Sequence, residues 1–182
     1  MTARTTSGIS VALVTVLFQG LILPVNVDAA AVLTERAQNI ERALVERTFI
    51  MAKPDAVKRG LVGEIIRRFE RRGFKLVAMK FVHPSKELFM NHYEAAKGQP
   101  FFKALIEFMS SGPVVPMVWE GREAVKLGRA MIGYSSPLKT PPGTIRGDFT
   151  LDKAQNVVHG SDSIKSAERE INIWFKKKEM VE

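Results

Sequence analysis

The chain has 182 residues and a formal net charge of +8 at pH 7, with 46% hydrophobic and 25% charged residues, as in an ordinary globular protein. It contains no cysteine, which excludes disulfides, thiolate metal sites and cysteine nucleophiles. Its three histidines, His83, His92 and His159, have no acidic cluster close by in sequence, so a zinc site made only of protein ligands is not predicted. The positive excess favours nucleotides, nucleic acid or an acidic membrane surface as partners, or is simply a basic soluble surface.

Residues 1–33 differ from the rest and predict a hydrophobic leader or targeting segment. The apolar run Ile9–Val25 is short for a transmembrane helix, which needs about 20 apolar residues. Val27 and Ala29 offer small side chains where a signal peptidase would cleave. We therefore expect residues 1–29 to direct the protein to the secretory path, a membrane or an organelle, with membrane contact through residues 9–25. A cytoplasmic protein with a retained extension is the alternative.

The remaining chain predicts a linker or short amphipathic helix over residues 34–45 and one domain over residues 46–182. Strands are predicted at Thr48–Ala52, Phe74–Val82, Val114–Trp119 and Val157–His159. Helices are predicted between Gly60 and Gly73, at Ser85–Lys97, Phe101–Met109 and Glu123–Ile132, and after the capping residue Ser163. This order indicates an α+β fold, an antiparallel sheet with helices packed on it.

Three segments do not fit this regular pattern. Lys53–Asp55 is predicted as a loop, and Pro116 is awkward inside a strand because proline has no N–H to donate. Gly133–Ala154 is predicted as a long irregular loop, and loops of that length in compact domains are usually functional or disordered.

Phosphate chemistry would have to rely on side chains, because the sequence contains neither a P-loop motif nor a Gly-x-Gly-x-x-Gly turn. Lys53, Arg129 and Arg146 are the candidate cations, and Arg146 lies in a glycine-flanked segment that a phosphate could approach closely. His159 lies where an apolar run meets Gly-Ser-Asp-Ser, a position that suits a nucleophile or proton carrier as well as a structural histidine.

Five motifs decide between these alternatives, because together they resemble the nucleoside diphosphate kinase family from residue 46 to about residue 175. They are Glu46–Ile50 with Lys53-Pro54-Asp55, Arg59–Ile66, Ser111–Val115, Pro142–Phe149 and Asn156–Ser163. The last two are the most specific in order and spacing. The resemblance implies a ferredoxin-like sheet of four antiparallel strands with helices packed on it.

The resemblance also implies ping-pong transfer of the γ-phosphate of a nucleoside triphosphate, typically ATP, to a nucleoside diphosphate. His159 would carry the phosphoryl group on its pros nitrogen, Nδ1. In-line positioning and charge neutralisation are what phosphoryl transfer chiefly requires, and an imidazole, cationic side chains and Mg²⁺ can supply them.

A nucleotide-binding set follows from the same resemblance: Lys53, Phe101, Arg129, Ser135, Arg146 and Asn156, with His92, Tyr93 and Leu105. Lys53 and Asn156 would bind the sugar hydroxyls, and Lys53 would also lie near the transferring phosphate. Arg129, Arg146 and Ser135 would hold the β- and γ-phosphates, His92 would approach the α-phosphate, and Tyr93 would orient the phosphoryl group. Phe101 would stack on the base beside Leu105, which predicts broad base tolerance.

Ser161 and Glu170 would orient the His159 ring. Mg²⁺ would be held mainly by the nucleotide phosphates, with no direct protein ligand and with Asp162 reaching it only through water.

The sequence departs from the family pattern at several positions. Ser135-Ser136-Pro137 replaces Thr-Asn-Pro, Ala56 replaces a glycine, and Lys153 replaces a small apolar residue beside the base. The chain stops at Glu182, so a homo-oligomer built from dimers could be a tetramer or a hexamer. The predicted strand Phe74–Val82 suits pairing of two subunits if it lies at a sheet edge.

Two other classes of function compete with an active kinase. A basic nucleic-acid or membrane binder would fit the charge and the leader, but clusters of basic residues with interleaved aromatics are not evident, so nucleic-acid binding is expected only as a secondary property. An inactive relative is disfavoured by the intact motif around His159.

Overall fold

The computed structural model describes residues 15–18, 21–24, 31–36 and 45–181, and two compact units divide the chain, Met1–Ala43 and Leu44–Glu182. In the first unit, β1 (Thr15–Phe18) and β2 (Leu21–Pro24) pair antiparallel, and residues 31–36 form helix α1. The predicted cleavage positions 27–29 and most of the predicted linker lie outside the described residues. No helix in the described ranges is long and apolar enough to cross a bilayer.

The second unit contains a four-stranded sheet, as predicted. Its strands are β3 (Val45–Ala52), β4 (Lys75–Met79), β5 (Val115–Arg122) and β6 (Val158–Gly160). They lie in the order β4-β5-β3-β6, and every neighbouring pair is antiparallel. The longest strands, β3 and β5, form the centre, and the short β6 forms one edge.

Seven helices surround this sheet in the described part of the second unit. They are α2 (Pro54–Lys58), α3 (Val62–Arg71), α4 (Lys86–His92), α5 (Phe102–Met109), α6 (Ala124–Ile132), α7 (Ile145–Phe149) and α8 (Ile164–Trp174). Short 3₁₀ turns occur at Glu94–Ala96, Pro137–Lys139 and Lys177–Glu179. The predicted cap of α8 is confirmed, because the Ser163 hydroxyl accepts a hydrogen bond from the Ser166 N–H at 3.1 Å.

Alternating side chains of β3 separate the core into two apolar layers. Ile50 and Ala52 pack with residues of α3 and α6 on one face, while Phe49 and Met51 pack with residues of α4, α5 and α8 on the other. The α+β class inferred from the sequence is therefore correct, with helices covering both faces of the sheet.

Three predicted boundaries are wrong. Lys53–Asp55 is not all loop, because Pro54 occupies the first turn of α2, where its missing N–H costs nothing. The predicted strand Phe74–Val82 contracts to β4, whose ladder shifts register between Leu76 and Ala78. The predicted helix Ser85–Lys97 ends at His92 and continues as a 3₁₀ turn.

The segment Gly133–Ala154 is not wholly irregular, since it contains a 3₁₀ turn and α7. Thr144 begins α7 by accepting a hydrogen bond from the Gly147 N–H at 3.0 Å. Gly147 is required there, because a Cβ on it would collide with the backbone carbonyl of Pro141.

Pro116 is accommodated inside β5. Its carbonyl accepts a hydrogen bond from the Lys80 N–H at 3.1 Å and therefore points toward the β4 side of the strand. The proline nitrogen, which has no hydrogen, points to the same side, where the β4 ladder has already ended at Met79. Pairing of Pro116 opposite Met51 in β3 is kept.

Candidate active site

The sheet register directs His159 toward the face covered by α4, α5 and α8. His159 lies opposite Met51 in the β6–β3 ladder, while its neighbour Val158 packs into the other layer. The ring of His159 lies against those of Phe49, His92 and Tyr93, with centroids 6.0, 4.7 and 5.6 Å away. About 18% of the side chain remains exposed, enough for a ligand to reach it.

Glu170 holds the ring of His159 from one side. Its Oε1 lies 3.0 Å from His159 Nε2, and its Oε2 accepts the Ser161 hydroxyl at 2.6 Å. Because a carboxylate only accepts hydrogen bonds, Nε2 of His159 must carry the proton that faces Glu170. In the neutral ring Nδ1 then has no proton, and its lone pair is free. This is the orienting pair predicted for Ser161 and Glu170, and the free nitrogen is the predicted pros position.

The backbone entering β6 makes a tight turn at Val157, whose φ is +57°. The Val158 N–H donates to the Asn156 carbonyl at 2.7 Å, which is the hydrogen bond of a γ-turn. A β-branched residue at positive φ costs on the order of 1–3 kcal/mol. Asp55 offsets part of this strain, since its buried Oδ2 accepts from the Val157 N–H at 3.0 Å.

Arg146 fixes both sides of this turn. Its Nε–H donates to the Asn156 carbonyl at 3.3 Å and its Nη2 to the Val158 carbonyl at 2.7 Å. Nη1 donates to the Gly133 carbonyl at 2.9 Å and lies 3.5 Å from Ser135 Oγ. A guanidinium has five N–H donors, and these four contacts leave it little capacity beyond the protein itself. Arg146, predicted to hold phosphate, is thus also the brace of the strand that carries His159.

Lys53 and Asn156 meet directly at the end of β3. Lys53 Nζ donates to Asn156 Oδ1 at 2.6 Å, and the Lys53 N–H donates to the Val157 carbonyl at 2.9 Å. Burial and the nearby charge of Arg146 together lower the pKa of Lys53 to about 7, although the carboxylate of Asp55 opposes the shift. The free site therefore holds a lysine that an anionic ligand would return to its charged state.

Positive charge is concentrated around the predicted phosphate positions. Arg129 on α6 donates to the Gly160 carbonyl at 3.3 Å and is otherwise exposed. Burial and the charge of Arg129 lower the pKa of Arg146 to about 10, so the two arginines repel each other. Three cations so close together match the oxygens of a polyphosphate.

A cleft of about 520 Å³ opens beside Lys53 and Asn156. Its walls include three further residues predicted to contact the nucleotide, Phe101, Leu105 and Ser135. Phe101 at the start of α5 is 57% exposed, so its ring presents an open face to the cleft. Lys153 also lines the cleft, and its carbonyl accepts from Asn156 Nδ2 at 2.7 Å. Lys153, which replaces the family's small apolar residue, thus places a positive charge at the cleft, and its backbone carbonyl helps to hold the Asn156 side chain.

His92 and Tyr93 lie behind His159 at the end of α4. Burial, with the neighbouring charges of His159, Arg169 and Lys53, lowers the pKa of His92 to about 2, so this ring is neutral. Burial and the carboxylate of Glu170 raise the pKa of Tyr93. His92 Nε2 and the Tyr93 hydroxyl are both buried and have no hydrogen-bond partner within residues 45–181. Unpaired buried donors at this position point to a polar ligand.

Two residues with structural importance here were not singled out from the sequence as members of the site. Asp55 supports the turn at Val157, and Gly160 permits close packing of α6, since a Cβ would lie 2.5 Å from Ile132 Cδ1. The Lys-Pro-Asp and His-Gly motifs contained both residues, but only the fold shows what they contact.

Comparison with known proteins decides the family. The family model for nucleoside diphosphate kinase matches residues 46–180. Nucleoside diphosphate kinase B of Bos taurus is 59% identical over 140 residues, covering 77% of this chain and 92% of that protein. The Drosophila melanogaster nucleoside diphosphate kinase is 59% identical over 136 residues, covering 75% of this chain and 89% of that protein. This chain belongs to the nucleoside diphosphate kinase family.

Solved structures of the family share the fold of this chain. The Babesia bovis family protein is 51% identical with a TM-score of 0.73, covering 75% of this chain and 93% of that one. The Halobacterium salinarum nucleoside diphosphate kinase, solved with CDP, is 45% identical with a TM-score of 0.74, covering 75% and 91%. Nucleoside diphosphate kinases transfer phosphate between nucleotides through a phosphohistidine, and this chain is an enzyme of that class.

The lowered pKa of Lys53 predicts a pH-dependent stability in the absence of nucleotide. Between pH 7 and 10.5 the unfolded chain binds a proton at this lysine that the folded chain lacks, so stability rises with pH in that window. Below pH 7 both states are protonated and the full penalty of burying the charge remains. Lys53→Met should therefore raise the free energy of unfolding by on the order of a few kcal/mol at pH 7, and by progressively less toward pH 10.

Urea unfolding of wild type and Lys53→Met across this pH range measures the effect. Lys58→Met, which removes an exposed lysine of α2, is the matched control and should follow the wild-type pH profile. Parallel profiles for wild type and Lys53→Met would contradict the prediction.

Proposed function

We propose that His159 is the phosphorylated residue of this kinase and that its Nδ1 is the attacking atom. The supporting observation is the bond between Nε2 and Glu170, which fixes the ring and leaves Nδ1 unpaired. In the first half-reaction Nδ1 forms a bond to the γ-phosphorus while the bond from that phosphorus to the β-phosphate oxygen breaks. The nucleoside diphosphate leaves, and a second one takes the phosphoryl group by the reverse route.

Lys53, Arg129 and Arg146 are proposed to neutralise the phosphates during this transfer. Lys53 and Arg146 are buried and held by protein oxygens, so little reorganisation is needed when the charge shifts. Arg129 retains exposed N–H groups and is suited to the outer phosphates. The Ser135 hydroxyl, held close to Arg146, would add one donor, and Thr140 supports the loop that carries Ser135 by donating to the carbonyls of Tyr134 and Ser136.

The 520 Å³ cleft is proposed to bind the nucleoside. Lys53 and Asn156 would bind the sugar hydroxyls, Phe101 would stack on the base, and Leu105 would cover the adjoining wall. Because a stacked ring discriminates weakly among bases, we expect this enzyme to accept several nucleotides. The solved structure of a relative with CDP, a pyrimidine nucleotide, is consistent with this expectation. The sequence assigned His92 to the α-phosphate, but its ring lies 4.7 Å from that of His159, so we propose that it donates to the transferring phosphoryl group instead. Tyr93 would donate to the same group through its unpaired hydroxyl.

Nucleoside diphosphate kinases require a divalent cation, and we infer that Mg²⁺ serves here. Hydrogen bonds from Ser166 and Ser163 and the charge of Arg129 lower the pKa of Asp162, so an ionised, exposed carboxylate lies beside a proposed phosphate-binding arginine. Oxygen donors of this kind suit Mg²⁺, and Asp162 would hold it through water. When bound, the ion neutralises phosphate charge, while the protein's part is to position the oxygens.

His159→Ala should abolish both phosphoenzyme formation from γ-labelled ATP and transfer to a second nucleoside diphosphate. His83→Ala is the matched control, because His83 is exposed and contacts only the Ser110 carbonyl among the described residues, so it should retain both activities. Circular dichroism should show that both variants fold. Transfer at the wild-type rate by His159→Ala would refute the assignment.

A homo-oligomer built from dimers is proposed from the exposed edge of β4. Met79 is 50% exposed and Phe81, just after the strand, is 68% exposed, which makes this edge an apolar pairing surface. Phe81→Lys should lower the mass measured by light scattering, whereas Met90→Lys, at an exposed position on α4, should not. An unchanged mass for Phe81→Lys would exclude this edge as the main contact.

Residues 1–29 are proposed to be a cleaved targeting leader, on the strength of the apolar run Ile9–Val25. N-terminal sequencing of protein from its native source should then begin near residue 30, and a mature chain that begins at residue 1 or 2 would contradict cleavage.

Nucleic-acid binding is proposed only as a secondary property of the net charge of +8.

A further inference from the structure

The indole of Trp174 makes a polar contact with His92. At the end of α8, its indole Nε1–H donates to His92 Nδ1 at 3.1 Å. Both side chains are buried, with 5% and 3% exposure. A ring nitrogen that accepts a hydrogen bond carries no proton, so neutral His92 must carry its proton on Nε2.

The Nε2–H group of His92 is a buried donor without a partner in the described part of the chain. Leaving a buried donor unpaired is unfavourable, and a polar ligand that accepts from it would remove this cost. The ring lies edge-on to that of His159, at 4.7 Å and 74°. A ring nitrogen from each histidine and a carboxylate oxygen of Glu170 lie within 4.8 Å of one another. The unpaired donor thus belongs to the surroundings of the proposed phosphoryl acceptor.

We propose that Trp174 is a positioning residue that holds His92 in the Nε2–H form, so that His92 acts as a neutral donor to the phosphoryl group on its way to or from His159. The inference rests on the proposed function of His159. The indole transfers no proton. It excludes the alternative form, because a proton on Nδ1 would point directly at the indole N–H.

Two features of the fold make this contact rigid. The indole of Trp174 stacks on Phe49 at 5.8 Å with an interplanar angle of 30°, and Phe49 in turn contacts the rings of His92 and His159. The four rings therefore form one packed group. His92 cannot rotate about its own axis without losing both its hydrogen bond and this packing.

The chain contains a matched control for Trp174. Its only other tryptophan, Trp119, is fully buried and stacked on Phe69 at 5.2 Å, but its Nε1 has no hydrogen-bond partner within residues 45–181. Replacing either tryptophan with phenylalanine removes one indole N–H, and the loss of side-chain volume is the same in both variants. Only Trp174→Phe removes a contact with His92.

Nitrogen NMR of the full chain with ¹⁵N-labelled histidine reads the proton position directly. Its three histidine signals can be assigned with His83→Ala and His159→Ala. We expect the proton of His92 on Nε2 in the wild type and in Trp119→Phe. In Trp174→Phe the Nδ1 resonance should move to that of an unbonded nitrogen, and a second form protonated on Nδ1 should appear. A wild-type His92 protonated on Nδ1, or identical His92 signals in wild type and Trp174→Phe, would overturn the proposal.

Single-turnover phosphorylation by ATP and Mg²⁺ measures the consequence. Trp174→Phe should slow phosphoenzyme formation by roughly tenfold with little change in KM for ATP, the loss expected for one weakened hydrogen bond to a charged group. Trp119→Phe should react at close to the wild-type rate. Equal slowing in both variants would show a general packing effect and overturn the proposal.

Amide substitutions of His92 keep the test decisive if Trp174→Phe does not fold. In His92→Gln the amide nitrogen can occupy the place of Nε2, whereas in His92→Asn it reaches only the place of Nδ1. The glutamine variant should retain the faster phosphorylation, and the reverse order would refute a donor at Nε2. If the wild type forms no phosphohistidine at all, the proposed role of His159 fails, whereas the NMR result still reports the proton on His92.

Discussion

The structure depends most on the buried guanidinium of Arg146. It spans the carbonyls of Gly133, Asn156 and Val158, and so it ties the loop after α6 to both sides of the turn that begins β6. These charge-assisted bonds stabilise the positive φ of Val157, together with the Asp55 carboxylate and the backbone hydrogen bond from the Lys53 N–H to the Val157 carbonyl. His159 follows Val157 by two residues, so this brace also fixes the direction of the side chain of the proposed nucleophile.

The same guanidinium also explains why the site is electrostatically strained. Burial lowers the pKa of both Arg146 and Lys53, the charge of Arg129 lowers that of Arg146, and the charge of Arg146 lowers that of Lys53. The carboxylate of Asp55 opposes both shifts. Such an arrangement is unfavourable in the free protein and favourable once phosphates arrive. Stability is thereby exchanged for affinity, which is a common property of sites that bind polyanions.

Sequence reasoning predicted the parts of this molecule that depend on local pattern or on a specific motif. The short apolar run Thr48–Ala52 indicated a strand and the cap at Ser163 indicated a helix, and both are present. It failed at the bounds of β4 and inside the long loop. β4 ends at Met79, short of the predicted Val82, and its ladder with β5 shifts register between Leu76 and Ala78. Helix α7 lies in a segment rich in proline and glycine, where the local cap by Thr144 begins it.

The residues of the site follow the same division. His159, Lys53 and Arg146 were identifiable by type and motif, but the bonds that orient them could not be read from the chain, because they join different elements of the fold. Asp55 to Val157 spans 102 positions and Trp174 to His92 spans 82. Periodicity carries no information about such pairs, and only the order of strands in the sheet brings them together.

The buried lysine at the end of β3 has a consequence for the thermodynamics of ligand capture. A side chain with a pKa of about 7 is largely uncharged in mildly alkaline solution, and anionic oxygens beside it raise that pKa. Nucleotide binding is then accompanied by proton uptake from the medium. Affinity falls as the solution becomes more alkaline, and the heat of binding measured by calorimetry contains the ionisation enthalpy of the buffer. The proton is thereby a second ligand of the proposed nucleotide cleft.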